Sequence, residues 1–546
     1  MQQAVTDYLS LLPADDEATL GRVLESRAAA LPGHPFLRQG DASWTYDELN
    51  RDANRLAHGL VARGLRPGDP VLVMMAGSQP LLVAWFALAK AGAIEVPVNT
   101  AYKGEMLVHL LRTARPRMVL ADPAYLPQLL EVLPQVGGVD LLLVNDAAAG
   151  AAQATLAAVM TGQPDSNLGL PISGRDPSCV IFTSGTTGPS KGVVISHRHQ
   201  LSFGVFFAEI NRLQPADVAY NYLPFFHIAA KFLTLGPMAV NARMALEPVF
   251  SLSRFWPDVR RYGATLCVAV GGLCYMLRGQ PPQPDDADNT LRAIYAVPVP
   301  AEFRAEFEAR FGLELIEGYG STESNLVAYS RPGETPPGSC GRPSPHFEVA
   351  ILDEAGRRLP AGQPGEICLR NREPDTFLSG YLGLPEKTLE LLRDLWLHSG
   401  DRGYLDDRGF LYFQDRLKDA IRRRGENISS FEVERLINRH PAVAESAVVA
   451  LPSELGEDEV KAVVVLRPGH SLAPLDLLAF CAATMPYFMT PRFIAFRQAL
   501  PRTPTQKVQK HELRREGRTP DLWDREAAGY TVGRDGLRHQ AARAAG

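Results

Sequence analysis

One stretch holds a large share of the groups that can do chemistry. The apolar run Val180-Ile181-Phe182 leads into Thr183-Ser184-Gly185-Thr186-Thr187-Gly188-Pro189-Ser190-Lys191-Gly192. Glycines let backbone N–H groups turn inward as a nest for an anion, hydroxyls add further donors, and a lysine adds charge. Such a loop is built to cradle a polyphosphate. It is not the Walker loop, because Ser190 stands where that pattern has its second glycine and Lys191 is followed by Gly192 rather than Ser or Thr.

Four further blocks follow in order: Glu317-Gly318-Tyr319-Gly320-Ser321-Thr322-Glu323, Ser399-Gly400-Asp401 with Gly403-Tyr404, Asp415-Arg416-Leu417-Lys418-Asp419, and Pro501-Arg502-Thr503-Pro504-Thr505-Gln506-Lys507-Val508. Together with the hydroxyl-rich loop they resemble the signature blocks of the acyl-adenylate-forming (ANL) superfamily. The overall texture is similar to its acyl-CoA synthetase branch, near the carnitine/crotonobetaine–CoA ligases. The resemblance covers about Thr45 to Arg515. It implies attack of a carboxylate on the α-phosphate of ATP, then thioester formation with coenzyme A. In such a step charge builds on phosphoryl oxygens, so preorganised cations and a metal supply much of the catalysis.

By this resemblance the nucleotide site takes Thr183, Ser184, Gly185, Thr186, Thr187, Gly188 and Lys191 from the loop. Val297, Pro298, Gly318, Tyr319, Gly320, Asp401 and Arg416 complete it. Tyr319 is expected against adenine, Asp401 on the ribose hydroxyls, and Thr322 on the α-phosphate. Glu323 is expected to hold magnesium (Mg2+), and Lys507 to stabilise the phosphorus under attack. Lys418 matches the hinge residue. Arg424 and Gly425 lie in the segment that would exchange with Lys507 when CoA reacts, and the basic run from Arg416 to Arg424 is expected near the CoA phosphates. His227, after Phe225-Phe226, is placed beside the acyl carboxylate, with Phe226 and Lys231 in the acyl pocket. A lysine there disfavours substrates that carry an ammonium group. The implied partners are a small carboxylic acid, ATP and CoA, with an acyl carrier protein as the alternative acceptor.

The chain also departs from the family pattern. Tyr295-Ala296-Val297-Pro298 stands where a Gly-Gly-Ala-Pro loop is usual, and Gln506 replaces the glycine before the lysine. The first change puts ATP binding in question and leaves open an enzyme that runs mainly one half-reaction. A module that binds an adenylate without chemistry is the reading from another class.

The elements that must position these groups are legible too. Thr45 and Glu48 form a capping box ahead of Leu49, Ala53, Leu56 and Leu60, which predicts an amphipathic helix. Apolar runs at Val71–Met75, Ile94–Val98, Met118–Ala121 and Leu141–Val144 alternate with helical stretches, the mark of parallel pairing through crossovers. Residues 147–158 read as a surface insertion without a role. After Gly338 short alternating runs predict a small β-rich region. The expected fold is therefore α/β: a large N-terminal domain (1–417) of two packed βα sheets plus a distorted β-barrel, a smaller mobile α+β domain (418–520), and a tail (521–546).

The chain has 546 residues and a net charge of −5, from 56 basic and 61 acidic side chains, which argues against a nucleic-acid binder acting through its overall field. No apolar run reaches the ~18 residues of a membrane span. Six scattered cysteines without a CxxC pair read as buried small hydrophobes. These features predict a soluble cytoplasmic protein, a monomer or homodimer.

Overall fold

Thr45 and Glu48 form the expected capping box. The Thr45 hydroxyl accepts the Glu48 N–H at 3.2 Å, and the Glu48 carboxylate accepts the Thr45 N–H at 2.8 Å. The helix they open, Tyr46–Ala62, buries Leu49, Ala53, Leu56 and Leu60 on one face. The computed structural model describes residues 8–145, 153–183, 190–270, 273–297, 299, 303–416, 421–423, 426–428, 430–452, 458–503, 507–533 and 536–539.

Two large sheets carry the N-terminal part. In one, Ile94–Pro97, Pro70–Met74, Met118–Ala121 and Leu141–Val144 run parallel. Pro177–Thr183 joins this sheet parallel to Ile94–Pro97, then pairs antiparallel with Lys191–Ser196. The phosphate loop therefore springs from the end of a buried strand. In the other, Arg243–Leu246, Val218–Asn221, Leu266–Val270, Ala293–Val297 and Glu314–Ser321 are parallel neighbours. Asn325–Tyr329 then turns back antiparallel, so Thr322 and Glu323 sit at a strand-to-strand turn.

The helices His197–Ile210 and Ile228–Ala239 are almost wholly buried, in one continuous core with residues of both sheets. Their close packing needs Gly204, where a Cβ would lie 2.5 Å from that of Leu235. A third, antiparallel sheet holds Phe347–Leu352, Gly365–Asn371, Trp396–Leu405 and Leu411–Arg416.

Beyond it, Val443–Pro452, Asp458–Leu466, Phe493–Arg497 and Trp523–Asp524 form a four-stranded sheet with the helices Ser430–Ile437 and Pro474–Thr484. The joint between the two parts is made by Asp415. Its Oδ2 accepts the Ser430 N–H and hydroxyl, each at 2.6 Å, at the start of Ser430–Ile437.

Two expectations need correction. Residues past 520 are not a plain tail. Trp523–Asp524 extends the C-terminal sheet, Tyr530–Gly533 pairs with Gly536–His539, and the buried Arg525 guanidinium donates to the Thr490 carbonyl at 3.2 Å. The 147–158 stretch, outside the described residues up to 152, carries the helix Leu156–Met160. Leu156 within that stretch is buried, and just past it Val159 packs so tightly on Tyr46–Ala62 that a Cβ at Gly59 would fall 2.3 Å from the Val159 carbonyl oxygen. All six cysteines are buried and free. Among the described residues, no helix is long and apolar enough to cross a membrane.

Candidate active site

Three strand ends converge on one polar chain. Lys191 opens the strand that leaves the phosphate loop, and its ammonium lies over the Tyr381 ring, 4.8 Å from the centroid. Tyr381 sits on the edge strand Gly380–Tyr381, opposite Val193, and its hydroxyl donates to Glu323 Oε1 at 3.0 Å. The loop lysine and the turn carboxylate are thus held in one neighbourhood by an aromatic ring between them. Sequence reasoning missed Tyr381; its only signal is its place four residues after Phe377, on a two-residue strand.

A second link ties the aromatic block to the ribose block. Tyr319 Oη donates to Asp401 Oδ2 at 2.8 Å, and both residues are buried. Asp401 stands opposite Arg416 in the antiparallel ladder; the Arg416 side chain lies outside the described residues. Gly318 is required by contact: a Cβ there would fall 1.7 Å from Tyr295 Oη. Tyr295 itself is 1% exposed, packs against Phe207 and Phe232, and its hydroxyl has no hydrogen-bond partner among the described residues. Val297 ends the same strand and is 37% exposed.

His227 is the N-cap of Ile228–Ala239, where its Nδ1 accepts the Ala229 N–H at 3.2 Å. The proton of the neutral ring therefore sits on Nε2. Loss of water around the ring, and then the Lys507 ammonium, push its pKa down to about 4. The C-terminal lysine thus lies near enough for its charge to be felt at His227. Its loop is closed by Thr503, whose hydroxyl accepts the Lys507 N–H at 3.1 Å while its own N–H donates to the Lys507 carbonyl at 2.8 Å.

Lys231 departs from expectation. Its ammonium pairs with Glu95 at 2.5 Å and stacks over Trp85, 4.2 Å from the ring centroid, with both charged side chains at most 1% exposed. An ammonium stripped of water needs a carboxylate partner, and here Glu95 neutralises this charge inside the core. Phe225 and Phe232 are likewise core residues, whereas Phe226 beside His227 stays partly exposed. Arg423, in the basic run expected near CoA, is buried on Glu459 and the Thr490 carbonyl. Ser184, Gly185, Thr186, Thr187, Gly188, Pro298, Lys418, Arg424, Gly425 and Gln506 lie outside the described residues.

Among the described residues, one His/Cys/Asp/Glu group has metal-ligand spacing: Glu366, Cys368 and His398, with ligand atoms within 4.8 Å of one another. They already satisfy each other. His398 Nδ1 lies 2.7 Å from Glu366 Oε2 and 3.4 Å from Cys368 Sγ, and Arg393 supplies a cation to the same carboxylate at 3.2 Å.

The chain is similar to known proteins over most of its length. The AMP-binding enzyme family model matches residues 24–382, and the AMP-binding enzyme C-terminal domain model matches residues 432–507. A crotonobetaine/carnitine–CoA ligase of Citrobacter koseri is 32% identical over 482 residues, covering 86% of this chain and 93% of that protein. The structure of the anthranilate CoA ligase AuaEII with anthranoyl-AMP superposes with a TM-score of 0.85 at 25% identity, covering 93% of this chain and 98% of that one. ATP-bound MatB of Rhodopseudomonas palustris gives a TM-score of 0.83 at 28% identity, over 91% and 98% of the two chains.

Proposed function

The chain belongs to the AMP-binding enzyme family, and from that premise we propose how its residues work. It is an AMP-forming acyl-CoA ligase. The acid's carboxylate oxygen attacks the α-phosphorus of ATP, and the bond to pyrophosphate breaks. The CoA thiol, giving up its proton, then attacks the acyl carbon and AMP leaves.

The observation that carries the assignment of roles is the pair of links that gather the blocks, Lys191 to Glu323 through Tyr381 and Tyr319 to Asp401, with the Lys507 ammonium helping to lower the His227 pKa. It supports a site shared by both parts of the chain, with an ammonium beside the reacting carboxylate and phosphate. His227 stays neutral at pH 7 and offers Nε2–H to the acid's carboxylate without competing for a proton. Lys191 and the loop donors hold the leaving phosphates, Thr322 the α-phosphate, and Asp401 the ribose hydroxyls while Tyr319 fixes its carboxylate. Glu323 and the phosphate oxygens form an all-oxygen set that suits Mg2+, which when bound would neutralise charge on the phosphates.

The acid is hydrophobic in this reading, because Phe226 flanks His227 and the Lys231 charge is paired with Glu95. The same pair removes the objection to a quaternary-ammonium acid, since the Lys231 charge is cancelled behind the wall. A panel of aliphatic, aryl and betaine-type acids, scored for pyrophosphate release and for CoA-thiol consumption, tests the proposal. At least one acid class should drive both in equal amounts. Pyrophosphate release without thiol loss, when free CoA is the acceptor, would overturn CoA as the second substrate and point to a carrier protein's thiol.

A further inference from the structure

We infer that Glu366 is a positioning residue for Asp401, bracing from behind the turn that presents this carboxylate to the nucleotide. The inference rests on the ribose reading of Asp401 given above.

The brace follows from a ladder that cannot stay regular. Cys368 pairs with His398 and Glu366 with Arg402, so the single residue Ile367 faces Ser399, Gly400 and Asp401 across the sheet. Such a bulge lifts residues out of the ladder and leaves their backbone groups to find other partners. Glu366 supplies one. Its Oε1 accepts the Gly400 N–H at 3.1 Å, at a residue whose φ of +69° lies in the left-handed region that glycine adopts without strain. Ser399 supplies another, donating from its hydroxyl to the Ile367 carbonyl at 2.6 Å and accepting the Asp401 N–H at 3.1 Å.

Glu366 is itself held. Its Oε2 meets His398 Nδ1 at 2.7 Å and Arg393 Nη2 at 3.2 Å. His398 is buried beside Cys368, so the carboxylate has little freedom to swing away. Each residue just before Asp401 is therefore tied to the neighbouring strand, and Tyr319 clamps Asp401 from the other side. A carboxylate placed this way holds its partner's geometry without touching the substrate.

The test is acid-dependent exchange of labelled pyrophosphate into ATP, run with ATP and with 2′-deoxy-ATP on the full chain. Wild-type protein should prefer ATP by about tenfold or more, as expected for a hydroxyl bonded to a charged acceptor. Glu366→Ala should raise KM for ATP about tenfold, keep kcat within about twofold, and lose most of that preference. Glu366→Gln, which keeps an oxygen for the Gly400 N–H, should recover part of it. If Glu366→Ala fails to fold, Glu366→Gln and Ser399→Ala carry the test in the same direction. A folded Glu366 variant that keeps the full preference for ATP, whatever its KM, would overturn the inference. Wild-type exchange that ignores the 2′-hydroxyl would overturn the ribose reading and this inference with it, whereas wild type that exchanges with no acid would overturn the activity itself.

Discussion

Two lysines, one inside a helix and one at the start of a strand, have opposite fates. Lys231 is sealed between a helix and a sheet, paired with Glu95 and covered by Trp85. Lys191 stands at a strand end beside the hydroxyl-rich loop, half-buried, with its ammonium over the face of Tyr381. A desolvated ammonium must be neutralised inside the protein, whereas one at a rim can wait for an anion from solution. The residue type is the same; access to water decides which lysine is structural and which can bind phosphate.

Breaking the buried pair gives the largest expected effect. Lys231→Met leaves the Glu95 carboxylate without its partner and should cost about 3–5 kcal/mol of unfolding free energy in a denaturant titration. Lys231→Met with Glu95→Leu should recover most of that loss. Lys191→Ala should leave stability within about 0.5 kcal/mol yet slow pyrophosphate exchange by about tenfold or more. Equal stability losses at both sites would erase the contrast.

Gly318→Ala comes next. The added methyl meets Tyr295 Oη at 1.7 Å, so stability should fall by about 1–3 kcal/mol, as in other overpacked cores. Pairing it with Tyr295→Ala should relieve the overlap. Without that relief, the close approach would not be what keeps glycine at this position.

Acid pH sharpens the comparison from another side. His197, His199 and His227 are held neutral with pKa values pushed down to about 4, 3 and 4 by loss of water, against an ordinary 6.5. Between those values the unfolded chain binds more protons than the folded one. Stability should therefore fall as pH drops from about 6.5 towards 4, by about 1.4 kcal/mol per pH unit for each histidine. His199 stacks on Phe203, and among the described residues neither ring nitrogen is bonded. His199→Phe should remove one proton from that slope in unfolding curves measured at several pH values.

The smallest effect is expected at Tyr295→Phe. The buried hydroxyl has no partner among the described residues, so its removal should leave stability unchanged or raise it by up to about 1 kcal/mol. A clear loss would reveal a bond the hydroxyl makes in solution.

Much of the site was legible because its chemistry is local. A loop of hydroxyls, glycines and a lysine declares anion binding by itself, and the ordered blocks around Tyr319, Asp401 and Lys507 needed no coordinates to be singled out. What stayed hidden depends on long-range pairing. Nothing near Lys231 in its helix announces Glu95 on a distant strand. Tyr381 and Glu366 acquire meaning only when sheet register brings them to Glu323 and Gly400. The fold was readable for a related reason: runs such as Met118–Ala121 and Leu141–Val144 are apolar throughout, as strands buried on both faces must be.

The measurement that bears most directly on the shared site is a split assay of Lys507→Ala. Adenylation is followed by pyrophosphate exchange, and thioester formation by CoA-thiol loss from supplied acyl-AMP. Adenylation should fall by about a hundredfold or more, while thioester formation stays within about tenfold of wild type. Undiminished adenylation together with collapsed thioester formation would contradict the account.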